Sequence, residues 1–294
     1  MSHFIDVIEI SKKFKDNKVF DRFSMNVKEN EIFGVVGHNG AGKSTLFKMI
    51  LSMYLPNEGE IRINAPSFDM KNDIGYLPEQ RGLYEKTNVF SQMLGFGLLK
   101  GVSKQQLIPE IDYWMNFFKI EQYKNELLGN LSKGNQQKIQ FITAVQHNPK
   151  LLILDEPFSG LDPVNVDLFI DAVKHMREKG STVIYSSHEM SSVENLSDRV
   201  LFLKNGAMVY LDDIRNIRSQ HGKVLKIKNN SLEEEFLIKN NYQYQYNDGI
   251  FEIIIDNEKD AEFIANNLSD KYSELFVIES PSFQEIFKKV NSGG

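Results

Sequence analysis

An apolar run, Ile32-Phe33-Gly34-Val35-Val36, leads without a break into Gly37-His38-Asn39-Gly40-Ala41-Gly42-Lys43-Ser44, which fits the pattern G-x-x-x-x-G-K-S. A strand buried on both faces that runs into a glycine-rich turn and then a helix leaves few folds open. The glycines let the backbone turn so that successive N–H groups point at a phosphate, and the start of the helix adds a dipole that favours anions. The helix is expected from Lys43 to about Leu51. Lys43 is expected to reach the β- and γ-phosphates and the Ser44 hydroxyl to bind Mg²⁺, with Thr45 beside them in the same binding set.

Leu151-Leu152-Ile153-Leu154-Asp155-Glu156 reads as a second buried strand, ending in two carboxylates. In phosphate-loop enzymes an acid at such a strand end orders the Mg²⁺ shell, which assigns that role to Asp155. Glu156, one residue on, is placed to polarise the water that attacks a γ-phosphate, since hydrolysis otherwise lacks a base near the in-line position. An apolar strand followed by Asp-Glu is common in isolation; the phosphate loop upstream gives this one its catalytic reading.

Further strands are expected at Ile5-Ile10, Phe23-Val27, Ile61-Asn64, Ile74-Leu77, Thr182-Ser186 and Val200-Lys204, and helices at Val89-Leu99, Glu110-Phe118, Gly134-Gln146 and Val164-Lys179. The alternation implies an α/β fold, a parallel sheet covered by helices. From about Glu85 to Gln146 no strand pattern intervenes, so that stretch is expected to form a helical subdomain inserted into the sheet domain. Beyond about Asp213 the order becomes strand, helix, strand, an Asp248-Gly249 turn, strand, helix, strand, which is the ferredoxin-like α+β arrangement. The expected domains are therefore 1–213 and 214–294, with a last helix at Phe283-Val290.

Composition closes off several classes. There are 34 Lys and Arg against 40 Asp and Glu, and the stretch from Arg215 to Gly294 carries 10 against 13, so neither part offers the basic surface that nucleic acid demands. The chain has no cysteine, which excludes disulfides and thiolate chemistry and suits a reducing compartment. The amino terminus lacks the pattern of a secretory signal, and no run approaches the ~18 apolar residues of a membrane span, so a cytoplasmic protein is expected.

Leu131-Ser132-Lys133-Gly134-Asn135, just upstream of the Asp-Glu strand, resembles the signature of ATP-binding-cassette (ABC) proteins. Pro157-Phe158-Ser159-Gly160-Leu161-Asp162-Pro163 is similar to the family's D-loop, and Ser186-Ser187-His188-Glu189 to its switch-histidine segment. The resemblance spans about Phe4 to Asp213. It implies ATP and Mg²⁺ as ligands and a head-to-tail pair of cassettes, either two copies of this chain or this chain with a sister cassette, each ATP lying between the phosphate loop of one and the signature loop of the other. Ser132, Gly134 and Asn135 would then contact a γ-phosphate held by the partner cassette. His188 would hold the γ-phosphate and the attacking water, and Asp162 would act across the dimer interface. Phe14 stands where the family places an aromatic that stacks on adenine, and its polar setting, Lys12-Lys13-Phe14-Lys15, suits an exposed ring better than a core one.

Two departures from the family pattern leave questions open. Glu79 stands where the family usually has glutamine, with Gln80 next to it, and either would serve the metal. Lys133 and Asn135 replace the commoner glycine and glutamine of the signature. These variants, with Arg81-Gly82-Leu83-Tyr84 and the closing Pro281-Ser282-Phe283-Gln284-Glu285-Ile286-Phe287, resemble the branch serving ABC-2-type sodium, antibiotic and peptide exporters. That resemblance implies separate integral membrane subunits as partners and a peripheral place on the inner face of the cell membrane. The alternatives are an ABC ATPase outside transport and a module that binds ATP for regulation. The small carboxy-terminal domain either braces the cassette dimer or binds a ligand, for which Tyr242, Tyr244 and Tyr246 alternate along one strand.

Overall fold

The computed structural model describes residues 3–80, 82–220, 222–229, 232–268, 273–281, 283 and 285–287. The chain divides into two compact units, Met1–Leu211 and Asp212–Gly294, two residues ahead of the expected boundary.

In the first unit a six-stranded sheet has the order β5-β6-β7-β3-β8-β9. Its members are β3 (Ile32–Val36), β5 (Ile74–Leu77), β6 (Leu151–Leu154), β7 (Thr182–Ser187), β8 (Arg199–Lys204) and β9 (Ala207–Asp213). β5, β6, β7, β3 and β8 pair in parallel. Every residue of β3 and β6 is buried, the mark of strands covered on both faces. The earliest strands do not join this sheet. β1 (His3–Phe14) and β2 (Asn17–Lys28), both longer than their apolar stretches suggest, form with β4 (Glu58–Ile63) a separate antiparallel sheet of order β2-β1-β4.

α1 (Lys43–Ile50) belongs to the core shared by the two sheets, where its Leu46, Phe47 and Ile50 pack with Ile5, Phe20, Phe33, Ile153 and Leu201. Burial of each such side chain stabilises the fold by about 1.5–3 kcal/mol, so the helix that carries the phosphate loop is firmly anchored.

Between β5 and β6 lie α2 (Val89–Leu99), α3 (Lys104–Phe117) and α4 (Lys133–Val145), the expected helical insertion. α3 starts six residues before the expected Glu110, because Ser103 and Gln106 close a capping box and Pro109 is accepted in the second turn. An aromatic cluster fixes α3 and α4 against α5 (Pro163–Glu178): Phe118 lies 5.6 Å from Phe141 and 5.2 Å from Phe169, and Trp114 lies 5.6 Å from Phe141. α6 (Met190–Leu196) follows β7, and α7 (Ile214–Gln220) opens the second unit; neither is evident from periodicity.

The second unit contains α8 (Glu234–Lys239), α9 (Glu258–Asn266) and an antiparallel sheet of order β11-β12-β10-β13, built from β10 (Lys223–Lys228), β11 (Tyr244–Asn247), β12 (Ile250–Ile255) and β13 (Leu275–Glu279). This is ferredoxin-like topology. Leu225, Ile227, Ile253 and Ile264 form its core. The alternating tyrosines cover that core: the Tyr244 and Tyr246 rings lie 5.9 and 4.5 Å from Phe251, and the Tyr244 hydroxyl donates to Glu234 at 2.7 Å. The expected helix 283–290 lies partly outside the described residues.

Candidate nucleotide site

The loop from Gly37 to Gly42 joins β3 to α1, and its shape follows from what its glycines permit. Gly42 precedes α1 with φ 111°, a left-handed conformation that a side chain resists. At Gly37 the obstacle is space, since a Cβ there would sit 2.4 Å from the Leu203 carbonyl oxygen. Ala41 is buried, donates to the His38 carbonyl at 3.0 Å and accepts from Gly206 N–H at 2.9 Å, which ties the loop to the turn after β8. The first helical hydrogen bond of α1 runs from Leu46 N–H to the Gly42 carbonyl at 2.9 Å. The N–H groups of Lys43, Ser44 and Thr45 therefore have no acceptor in their own helix, which is the local arrangement that binds anions.

A cleft of about 520 Å³ opens over this loop, lined by His38, Asn39, Gly40, Gly42, Lys43, Ser44, Thr45, Glu79, Glu156, Phe14, Asn17 and Val19. Lys43 is buried, and its ammonium donates to the Gly37 carbonyl at 2.7 Å. The same ammonium lies 3.2 Å from Glu156 Oε1, an ion pair whose geometry leaves that oxygen without a hydrogen bond. Glu156 Oε2 is 2.8 Å from His188 Nδ1. The base candidate is thus held between a lysine and a histidine. His188 itself projects outward, its side chain 63% exposed.

Glu156 adopts φ 51°, a conformation that costs a non-glycine residue on the order of 1 kcal/mol and is concentrated at functional positions. Its backbone is fixed by a short chain of hydrogen bonds: Glu156 N–H donates to Ser186 Oγ at 2.8 Å, and the Ser186 hydroxyl donates to Asp155 Oδ1 at 2.7 Å. Asp155 is buried, and its N–H donates to the Leu77 carbonyl at 2.8 Å. Burial, and then the nearby Asp155 and Glu79 carboxylates, push the Tyr76 phenol up to about 12. Of the two metal-side candidates, Glu79 lines the cleft and Gln80 is not among its lining residues.

Phe14 ends β1 at the far side of the cleft, 39% exposed. The Lys12 ammonium stands 5.0 Å from its ring centre and Tyr54 meets it edge-on at 5.3 Å. Ser132, Gly134, Asn135 and Asp162 are not among the lining residues. Ser132 caps α4 by accepting from Asn135 N–H at 3.4 Å, and Asp162 caps α5 by accepting from Asn165 N–H at 3.0 Å. Those Asn165 hydrogen bonds hold the Asp162 carboxyl below its ordinary range. Sequence reasoning missed Asn17 and Val19, which join the lining where β2 turns back beside Phe14, and Ser186, which links the two acids because β7 pairs with the strand that precedes them.

Comparison with known proteins identifies the family. A family model described as ABC transporter matches residues 20–159. The uncharacterized ABC transporter ATP-binding protein YhaQ of Bacillus subtilis (strain 168) is 38% identical over 288 residues, 96% of this chain and 97% of its own. The Nod factor export ATP-binding protein I of Rhizobium sp. (strain N33) is 32% identical over 69% of this chain and 68% of its own. A solved ATP-binding subunit of an ABC transporter is similar with a TM-score of 0.68 at 26% identity, covering 74% of this chain and 92% of that one. No helix among the described residues is long and apolar enough to cross a membrane. The chain belongs to the ATP-binding subunits of ABC transporters, the cassettes whose ATP hydrolysis powers transport through separate membrane-spanning subunits.

Proposed function

We propose that this cassette powers an exporter of the ABC-2 type, working as a head-to-tail pair on the inner face of a cell membrane. The observation that carries the catalytic part is that Lys43 and Glu156 line one cleft with the phosphate loop while His188 bonds to Glu156 at 2.8 Å. The export direction is supported by the signature and Tyr76-Leu77-Pro78-Glu79 variants and by the likeness to a Nod factor export protein.

In this reading Phe14 stacks on adenine, and Gly37 to Thr45 hold the phosphates through backbone N–H groups and the Lys43 ammonium. Ser44, Asp155 and Glu79 offer only hard oxygen donors, the set suited to Mg²⁺. Bound there, Mg²⁺ would neutralise the charge of the β- and γ-phosphates. Glu156 accepts the proton of the attacking water while His188, oriented by its hydrogen bond to Glu156, turns its other ring nitrogen towards the γ-phosphate. Ser132, Gly134 and Asn135 complete the site of the partner cassette from the start of α4, with Asp162 beside them. The membrane subunits are separate chains that select the cargo, and the Glu156–His188 pair favours a hydrolysing motor over a passive ATP-binding module.

The test is complementation between inactive variants. Lys43→Ala disables a chain's own phosphate loop and Ser132→Arg disables what it offers its partner, so each alone is expected to be inactive and their mixture to recover turnover. A mixture as inactive as its components rejects a site shared between two copies of this chain.

A further inference from the structure

α4 bears three glutamines within five positions, Gln136, Gln137 and Gln140, all buried. Gln136 donates to the Leu128 and Leu131 carbonyls and steadies the signature loop itself. The other two reach the loops that follow the adjacent strands β6 and β5. Gln137 Nε2 donates to the Pro157 carbonyl at 3.3 Å, one residue after Glu156, and Gln140 Nε2 donates to the Pro78 carbonyl at 3.0 Å, one residue before Glu79. Three positions apart on a helix, they share one face.

The contact at Pro78 has an unusual cost. Gln140 is 4% exposed, and its Oε1 is buried with no hydrogen-bond partner among the described residues. The amide orientation is fixed, since only the NH₂ end can donate to a carbonyl. An orphaned buried acceptor forfeits about as much stability as the single hydrogen bond supplies, or more. An apolar residue of similar length would pack the position without that cost. The polar side chain therefore makes more sense as a device for the loop than as a support for the helix.

We propose that Gln140 is a positioning residue of the nucleotide site: by holding the Pro78 carbonyl it fixes the peptide that carries Glu79 and ties the signature helix to that loop. The inference rests on the reading of Glu79 as the metal-side residue. The peptide joining Pro78 to Glu79 is rigid, so a hydrogen bond to its oxygen sets the direction in which Glu79 leaves the chain. Outer partners that orient a metal-side oxygen typically contribute 10–100-fold in metal affinity or activity. Because α4 also carries the loop offered to the partner cassette, a shift at Glu79 on Mg²⁺-nucleotide binding is transmitted to the opposite site.

The test uses the full chain with Gln140→Met, and Gln140→Leu as a second variant of different shape. The thermal midpoint, affinity for a fluorescent ATP analogue without Mg²⁺, and turnover during a Mg²⁺ titration are measured for each. The expected result is an unchanged or raised midpoint, an unchanged metal-free affinity, and about a tenfold rise in the Mg²⁺ concentration giving half-maximal turnover. A lowered midpoint with an unaltered Mg²⁺ dependence assigns Gln140 to the framework and overturns the proposal. Glu79→Ala separates the two layers. If it leaves the Mg²⁺ dependence intact, the reading of Glu79 fails. If it shifts that dependence but adding Gln140→Met shifts it further by the same factor, Gln140 does not act through Glu79.

Discussion

Replacing Glu156 by glutamine is expected to make the cassette bind ATP more tightly while it hydrolyses it more slowly. The Lys43 ammonium, which must turn to the phosphates, lies 3.2 Å from Glu156 Oε1, and the two side chains are only 6% and 10% exposed. Coulomb's law for unit charges at that separation gives about 5 kcal/mol at an effective dielectric constant of 20 and about 1.3 kcal/mol in water. The pair borders an open cleft and has given up hydration to form, so the lower figure is the better guide to the competition it offers an incoming phosphate. Glutamine keeps the shape and removes the charge. The dissociation constant for ATP without Mg²⁺ should then fall about tenfold, and the gain should shrink as salt is raised. Turnover should fall about 10²–10⁴-fold through loss of the base. The assay is titration of a fluorescent ATP analogue at protein concentrations too low for pairing, followed by a turnover measurement. Equal or weaker binding by the variant would refute the view that Glu156 holds Lys43 in reserve.

Phe14→Ala should raise the KM for ATP by about 5–100-fold, the loss of a base-stacking contact, while leaving activity on inorganic triphosphate unchanged; equal losses on both would make the ring a structural one. His147 offers a pH test: burial lowers its pKa to about 4, with Nε2 bonded to the Ile74 carbonyl at 3.0 Å and Nδ1 unpaired. Its folded pKa lies below the unfolded value of about 6.5, so the unfolded chain takes up the proton first and stability is lost as pH falls from about 6.5 to 4, by on the order of 3 kcal/mol. His147→Gln, which cannot titrate, should therefore show a shallower fall in thermal midpoint over that range, and parallel curves would dismiss the assignment.

Much of this protein is determined by local sequence. Gly37 to Ser44 specify a strand, an anion-binding turn and a helix because the conformations involved are open to glycine and closed to most other residues. The all-apolar β3 and β6 read as doubly covered parallel strands for a similar reason, since no polar residue interrupts them. The ferredoxin-like order of the second unit follows from period and turn signals alone. Tertiary structure decided the rest. It separated β1, β2 and β4 into their own sheet, a choice made by packing around α1 and not by any feature of the strands themselves. It chose Glu79 over Gln80 for the cleft, because adjacent residues at a bend leave the chain in different directions. It also joined Lys43 to Glu156 and His188, both more than a hundred residues further along the chain, through the parallel alignment of β3, β6 and β7, whose carboxyl ends converge on one edge of the sheet.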